Sequence, residues 1–169
     1  MRKAVAAMAV VALAACATGE GRAGSAPAPT SAALTPAQLV AARQAGMKLS
    51  AASFGAVRAA LERGAEPRTQ RFASEGLASW ATAFPPLFAP GTQIPPSEAL
   101  PVVWSDPAGF SARAAEFAAA TRRLADAAAA NDPAAMTAAS EAVEQGCQAC
   151  HKTYRLAPKR PAAAAKPAG

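Results

Sequence analysis

The sequence predicts an all-α protein, an antiparallel four-helix bundle, and three observations lead to this fold class. Alanine supplies much of the 52% hydrophobic content, whereas aromatic residues make up only 5%. That composition favours helices, because alanine has the highest intrinsic helix propensity. Apolar residues recur at heptad-like spacing, as they do on the buried face of a helix. Proline-containing breaks divide the pattern into four segments, and a bundle is the natural way to pack four such helices.

The first helix is predicted to begin after Thr35 and to end at Gly64. Thr35 can cap a helix whose first residue is Pro36, and Gln38 completes a capping box. A glycine is a common helix terminator. The apolar stripe of this helix recurs every seven residues, at Val40, Met47, Phe54 and Leu61.

The second helix is predicted to begin at Pro67, with Phe72 and Trp80 directed towards the core, and to stop before Pro85. Six prolines between residues 85 and 103 exclude regular structure there. An irregular segment of that length is uncommon in a compact domain unless it packs or takes part in function.

The third and fourth helices are predicted from their caps and stripes. Residues 105–107 read Ser-Asp-Pro and start the third helix, while residues 131–133 read Asn-Asp-Pro, ending it and starting the fourth almost at once. The fourth helix is expected to stop at Ala157, before a proline. The tight turns after the first and third helices make those pairs antiparallel. The stripes comprise Phe110, Phe117 and Leu124, then Met136, Val143, Cys147, Cys150 and Tyr154.

The chain outside residues 35–157 indicates export. Residues 1–15 combine two positive residues with an apolar run of ten, too short to span a bilayer, which needs about 20. The run Leu13-Ala14-Ala15-Cys16 resembles the lipobox of bacterial lipoproteins, which implies that Cys16 carries lipid. Ordinary signal cleavage among the alanines is the alternative. Residues 16–34 read as a lipid-anchored flexible linker, and residues 158–169 as a disordered tail.

The predicted location follows from the same segment. Either form of cleavage exports the protein, and the lipobox resemblance implies attachment to a membrane in the periplasm. Ala17 stands where an aspartate often retains lipoproteins at the inner membrane, so the rule for that class implies the outer membrane. The net charge of +6 comes from scattered residues with no basic block, and no nucleic-acid partner is therefore expected.

Residues 147–151 form the pattern C-x-x-C-H, which is the attachment motif of c-type haem. Cys147 and Cys150, three positions apart on one helix face, can reach the two vinyl groups along one side of a haem. His151 then directs its imidazole at the iron. A thiol–disulfide site usually accompanies a βαβ pattern, which is missing. A zinc site needs a further Cys or His, and none remains once Cys16 takes lipid. The sequence thus predicts one covalent haem c.

The chain over residues 35–155 resembles cytochrome c′ and its methionine-ligated, low-spin relatives, and three segments, in order, carry the resemblance. The resemblance implies a four-helix bundle with the haem near the C-terminus, the first helix over its distal face, and a homodimer. It also implies that Arg43 and Gln44 contact the haem propionates. The matching segments are Arg43-Gln44-Ala45-Gly46-Met47-Lys48, Val103-Trp104-Ser105-Asp106-Pro107-Ala108-Gly109-Phe110, and Cys147-Gln148-Ala149-Cys150-His151-Lys152-Thr153-Tyr154-Arg155.

The sixth iron position decides between two functions. Histidine and methionine are the usual strong ligands, His151 is the only histidine, and Met136 lies about 22 Å from it along the same helix. Met47 occupies the distal position of the family's R-Q-x-x-M arrangement, where Gly46 would admit a close approach to the haem. The sequence favours a one-electron carrier with His/Met iron and a redox partner protein. The alternative is five-coordinate iron that binds nitric oxide or carbon monoxide. An enzyme is not expected, because peroxide chemistry would need a distal imidazole.

Overall fold

The computed structural model describes residues 33–157, so the predicted signal, nearly all of the linker with Cys16, and the predicted tail lie outside the described residues. Pro67, predicted to begin the second helix, instead begins a single turn of 3-10 helix, Pro67–Gln70, which precedes that α-helix. Another 3-10 turn, Pro85–Phe88, and a one-turn α-helix occupy the two ends of residues 85–103, so the prediction of no regular structure there is wrong at both ends. None of the described helices is both long and apolar enough to cross a membrane. The α-helices are α1 (Pro36–Glu62), α2 (Arg71–Ala83), the one-turn α3 (Val102–Ser105), α4 (Pro107–Ala130) and α5 (Pro133–Tyr154).

The start of α1 is the capping box that the sequence predicts. The Thr35 hydroxyl accepts a hydrogen bond from the Gln38 backbone N–H, and the Thr35 N–H donates to Gln38 Oε1 at 2.8 Å. At the other end Arg63 caps the helix and Gly64 adopts a φ of 72°. Glycine suits that conformation because it has no Cβ to clash. Both predicted ends of α1 are confirmed.

The turn between α4 and α5 also follows its local sequence. Asn131 ends α4 in the left-handed conformation, with a φ of 53°, which asparagine tolerates better than most residues. Asp132 then caps α5 by accepting the Ala135 N–H at 3.0 Å. Asp106 caps α4 in the same way through the Gly109 N–H. These turns and caps confirm the predicted helix order.

The end of α5 departs from the prediction. The helix stops at Tyr154, three residues before Ala157, because the next residues pair with the irregular segment. Arg155 forms an isolated antiparallel bridge with Ala99. The backbones of residues 98–100 and 154–156 exchange hydrogen bonds of 2.8 and 2.9 Å. A tertiary pairing of this kind overrides a local helix signal.

The four long helices bury a common apolar core. α4 packs extensively against both α2 and α5, and α1 packs against α2. α1 and α5 make few close backbone contacts and are linked by the ion pair of Arg58 with Glu144 at 3.1 Å. This unequal packing leaves the space between α1 and α5 available for the site described below. The core contains Val57, Leu77, Phe84, Phe110, Phe117, Leu124, Met136 and Val143, with Met47, Phe54, Leu61 and Trp80 packed against it.

One predicted core residue is wrong. Phe72 is 91% exposed, because it lies on the side of α2 opposite the buried residues Ser74 and Leu77. A difference of two positions corresponds to about 200° around a helix. Trp80, predicted on the same basis, does pack against the core.

Candidate haem site

The C-x-x-C-H motif lies in the last two turns of α5. Cys147, Cys150 and His151 are each half-buried, and helical spacing of three and four positions keeps them on neighbouring parts of one face. All three side chains line the space between α5 and α1. The local sequence therefore places two thiols and an imidazole on the side of α5 that faces this space.

Two adjoining cavities of about 600 and about 350 Å³ occupy that space. Each volume lies in the range of about 300–1,000 Å³ found for cofactor and ligand sites. The lining is largely apolar, and the thiols and the imidazole are on the α5 side. This combination fits a covalently held haem. The residues common to both cavities are Met47, Ala51, Phe84, Cys150 and His151.

The ionisation of the thiols disfavours a thiol–disulfide site. Burial, with smaller contributions from Cys150 and Glu144, raises the pKa of Cys147 to about 11. Burial also raises the pKa of Cys150. Reactive disulfide-exchange cysteines instead have a depressed pKa that supplies thiolate. Two protonated, half-buried thiols are better suited to attachment of a cofactor than to redox exchange.

The His151 imidazole is held in its neutral form. Burial and then the positive charge of Arg155 lower the pKa of His151. Neutral imidazole is the form that binds a metal ion. The environment of His151 therefore suits the role of an iron ligand.

Met47 reaches the cavities from α1. Its side chain is half-buried and lines both cavities, as the His151 side chain does from α5. The structure thus places the two candidate axial residues on opposite helices that border a shared space.

Arg43 and Gln44 also line the larger cavity, but their side chains bond to the irregular segment. The Gln44 amide donates to the Pro96 carbonyl at 2.7 Å. Arg43 is buried, and one terminal nitrogen donates to the Leu87 carbonyl at 2.9 Å and to the Thr92 hydroxyl at 2.8 Å. The sequence analysis did not predict these contacts, because they join positions 44 to 54 residues apart.

Gly46 serves a different purpose from the one that the sequence suggests. A Cβ at this position would lie 2.1 Å from the Trp80 ring, so the glycine admits the indole of α2 to the α1 backbone. Gly46 therefore makes the α1–α2 packing close, and its open side faces Trp80 rather than the haem cavity.

The irregular segment supplies lining residues that sequence reasoning missed. Ser97, Glu98 and Ala99 face the larger cavity, and Arg155 and Lys48 add positive charge to its lining. The one signal for them in the sequence is the unusual length of the proline-rich segment, which indicates that it packs or functions.

Comparison with known proteins gives a consistent result. The family model described as Cytochrome C' matches residues 38–155. The chain is 39% identical over 117 residues to the cytochrome c' of Rubrivivax gelatinosus, covering 67% of this chain and 90% of the relative. It is 36% identical over 118 residues to cytochrome c-556 of Agrobacterium tumefaciens, covering 68% and 93%. A nitric oxide complex of a cytochrome c prime variant from Alcaligenes xylosoxidans superposes with a TM-score of 0.66 at 30% identity, covering 72% and 96%.

Proposed function

The chain belongs to the cytochrome c′ family, whose members carry one covalent haem c, and on that premise we propose that it binds nitric oxide or carbon monoxide. Cys147 and Cys150 would hold the haem as thioethers, and His151 would bind the iron. Met47 would cover the haem from α1. The haem iron supplies the site for the gas, and the chain's own residues orient the haem and limit access to it.

The observation that carries this proposal is the position of Met47, which lines both cavities from α1 as His151 does from α5. With the haem bound in that space, Met47 would cover the face opposite His151. Methionine has three rotatable bonds, so its side chain would be able to yield to a diatomic ligand by a change of rotamer. The solved nitric oxide complex of a relative supports the same function.

A second function is a one-electron carrier in which Met47 ligates the iron. The R-Q-x-x-M arrangement favours this function, and the shared lining of Met47 and His151 is consistent with it. The comparisons favour gas binding, because the matched family and the relative from R. gelatinosus are named cytochrome c'. The electron carrier would require a redox partner protein. Neither function makes the protein an enzyme.

Absorption spectra of the wild type and of Met47→Leu distinguish the two functions. Leucine has nearly the volume of methionine but no sulfur. Under the proposal, the wild type is high-spin in both oxidation states and binds carbon monoxide, and Met47→Leu keeps that spin state. A low-spin wild type that becomes high-spin in Met47→Leu would instead establish the electron carrier.

Met136→Leu is the matched control. Met136 is fully buried on α5 and contributes to the lining of neither cavity. Its substitution should leave both spectra unchanged. A spectral change in this control would show that core repacking, and not the loss of a sulfur ligand, alters the haem.

We also propose that the protein is held in the periplasm by lipid on Cys16 and that it forms a homodimer. Multiple acyl chains give stable anchoring, where a single chain does not. Cell fractionation of the wild type and Cys16→Ser tests the anchor, since equal release of both into the soluble periplasm would show that no lipid holds the chain. The exposure of Phe72 on α2 supports the dimer.

Arg43 and Gln44 are proposed to face the haem propionates. Each lines the larger cavity, and a guanidinium or an amide can donate to a carboxylate. Most N–H groups of Arg43 are already bonded to the irregular segment, so only a remaining N–H group would be free to donate to a propionate.

A further inference from the structure

We propose that Arg43 is a positioning residue that fixes residues 87–99 as a wall of the haem cavity. The inference goes beyond gas binding, because it concerns the shape of the haem c site and applies whichever sixth ligand the iron takes. It also assigns Arg43 a role that contact with a propionate does not describe.

The guanidinium of Arg43 is bonded to the wall at several points. Arg43 is 3% exposed. One terminal nitrogen donates to the Leu87 carbonyl and to the Thr92 hydroxyl, and the other donates to the Thr92 carbonyl at 2.8 Å and to the Ser97 hydroxyl at 2.7 Å. An arginine has five N–H donors, so these bonds use all four terminal ones and leave the Nε–H.

Aromatic rings complete the clamp. The Arg43 guanidinium carbon lies 4.5 Å from the ring centroid of Phe88 and 5.8 Å from that of Trp104. The Trp104 indole donates to the Phe88 carbonyl at 2.8 Å. A cation over an aromatic face is attracted by the ring quadrupole, most strongly where water is excluded. These contacts compensate for the burial of a charge that has no carboxylate within 4 Å among residues 33–157.

The wall that Arg43 holds connects the two helices bordering the haem cavity. Arg43 of α1 bonds the wall at Leu87, Thr92 and Ser97. Beyond Ser97, residues 98–100 pair with residues 154–156, which follow His151 at the end of α5. The wall therefore joins α1 to the end of α5 along the larger cavity, in addition to the Arg58–Glu144 ion pair beside the smaller one. Its lining residues are Phe88, Pro96, Ser97, Glu98 and Ala99.

A lysine at position 43 separates the clamp from a purely electrostatic role. Lysine keeps the positive charge, but its ammonium is a single point and cannot bond four acceptors in the planar fork of a guanidinium. If Arg43 acts mainly by its charge towards a propionate, Arg43→Lys should leave the haem site as it is in the wild type. If Arg43 acts as a clamp, meaning that its four hydrogen bonds hold residues 87–99 in place, Arg43→Lys should loosen that segment nearly as much as Arg43→Gln does.

The test is hydrogen–deuterium exchange of the holoprotein, with the midpoint potential as a second measurement. We expect the backbone amides of residues 87–100 to exchange at least about tenfold faster in both Arg43→Lys and Arg43→Gln, because hydrogen bonds from a charged donor are lost. The midpoint potential should fall in both variants as the haem becomes more exposed to water. Arg122→Gln, an exposed change on α4, should match the wild type in both measurements.

Wild-type exchange and potential in Arg43→Lys would overturn the proposal in favour of charge alone. If the Arg43 variants yield no folded holoprotein, the double variant Thr92→Val/Ser97→Ala removes the hydroxyl acceptors and leaves Arg43 intact. It should open the same segment. Unchanged exchange in that double variant would equally refute the clamp. Neither readout depends on whether the iron binds gas, so a failure here is distinct from a failure of the proposed function.

Discussion

The two cysteines of α5 are predicted to bind haem, whereas the third cysteine is predicted to carry lipid. Cys147 and Cys150 line the cavity that fits a haem, whereas Cys16 lies outside the described residues. We expect Cys147→Ser/Cys150→Ser to lose covalent haem, because no thioether can form, and each single variant to retain less than the wild type. Denaturing gels stained for haem peroxidase activity measure this. Cys16→Ser is the control and should keep its stain, and a stained double variant would contradict the assignment.

Single residues also show where sequence reasoning stops. The C-x-x-C-H motif is contiguous, so helical geometry alone brings its side chains to one wall. The bonds of Arg43 run to Thr92 and Ser97, 49 and 54 residues away, and no local pattern encodes such distances. The resemblance assigns Arg43 to the haem site, which the structure supports by placing it in the cavity lining, but it does not reveal the contacts with the wall.

At the scale of the elements, the sequence predicts the capped starts of α1, α4 and α5, but not the end of α5 or the buried face of α2. Thr35, Asp106 and Asp132 cap their helices through neighbours three positions away, so their sequence is sufficient. Phe72 was assigned to the core from its hydrophobicity, yet the side of α2 that packs is set by contacts with α1 and α4. Those contacts are tertiary, and a short helix offers too few repeats to fix its buried face.

The contact between α1 and α2 gives a prediction with an internal control. Gly46→Ala would place a Cβ 2.1 Å from the Trp80 ring, and a large indole packed against the core cannot move away freely. We expect a loss of about 1–3 kcal/mol in the free energy of unfolding, the usual cost of overpacking, despite the better helix propensity of alanine.

Gly76→Ala is the matched substitution on α2, the partner helix in this contact, and Gly76 lines neither cavity. No atom lies within 4 Å of the Cβ that it would add, so the change should stabilise the protein by up to about 1 kcal/mol. Urea unfolding followed by circular dichroism measures both variants. Equal effects of the two substitutions would show that Gly46 does not govern the packing of α1 on α2.

For the molecule as a whole, we propose that exposed apolar side chains on α1 and α2 belong to the surface that contacts a second copy. Leu49 is 69% exposed and Phe72 is 91% exposed. We expect Phe72→Asp to shift the protein towards monomer in sedimentation velocity, because a charge at a subunit contact would be desolvated. Its free energy of unfolding as a monomer should change by no more than about 0.5 kcal/mol, as for other exposed sites.

The control for the dimer prediction is Leu156→Asp. Leu156 is 51% exposed and follows α5 in the chain, so it belongs to neither helix of the proposed surface. It should leave the sedimentation coefficient unchanged. A wild type that is monomeric at micromolar concentration, or a Phe72→Asp variant that remains a dimer, would contradict this assignment of the surface.

The haem itself completes the bundle, and this yields a prediction about folding. α1 and α5 make few close backbone contacts, and the cavities between them are bordered by buried apolar residues such as Phe84 and Phe110. Without the haem, that surface would face water, and the hydrophobic contribution of the cofactor to folding would be lost. α4 packs against both α2 and α5, so these three helices should retain residual helical structure, while α1 should no longer pack against the rest of the bundle.

We therefore expect the haem-free Cys147→Ser/Cys150→Ser chain to lack the cooperative thermal transition of the holoprotein, although far-ultraviolet circular dichroism should still detect helix. Hydrogen exchange should be fastest in α1 and slowest in the α4–α5 pair, because opening is local where packing is weakest. The control is Cys150→Ser with haem still attached through Cys147, because it separates the loss of a thiol from the loss of the haem. This variant should unfold cooperatively. A haem-free chain that melts cooperatively near the holoprotein's temperature would mean that α1 and α5 close on each other, and that the cofactor is not what holds them together.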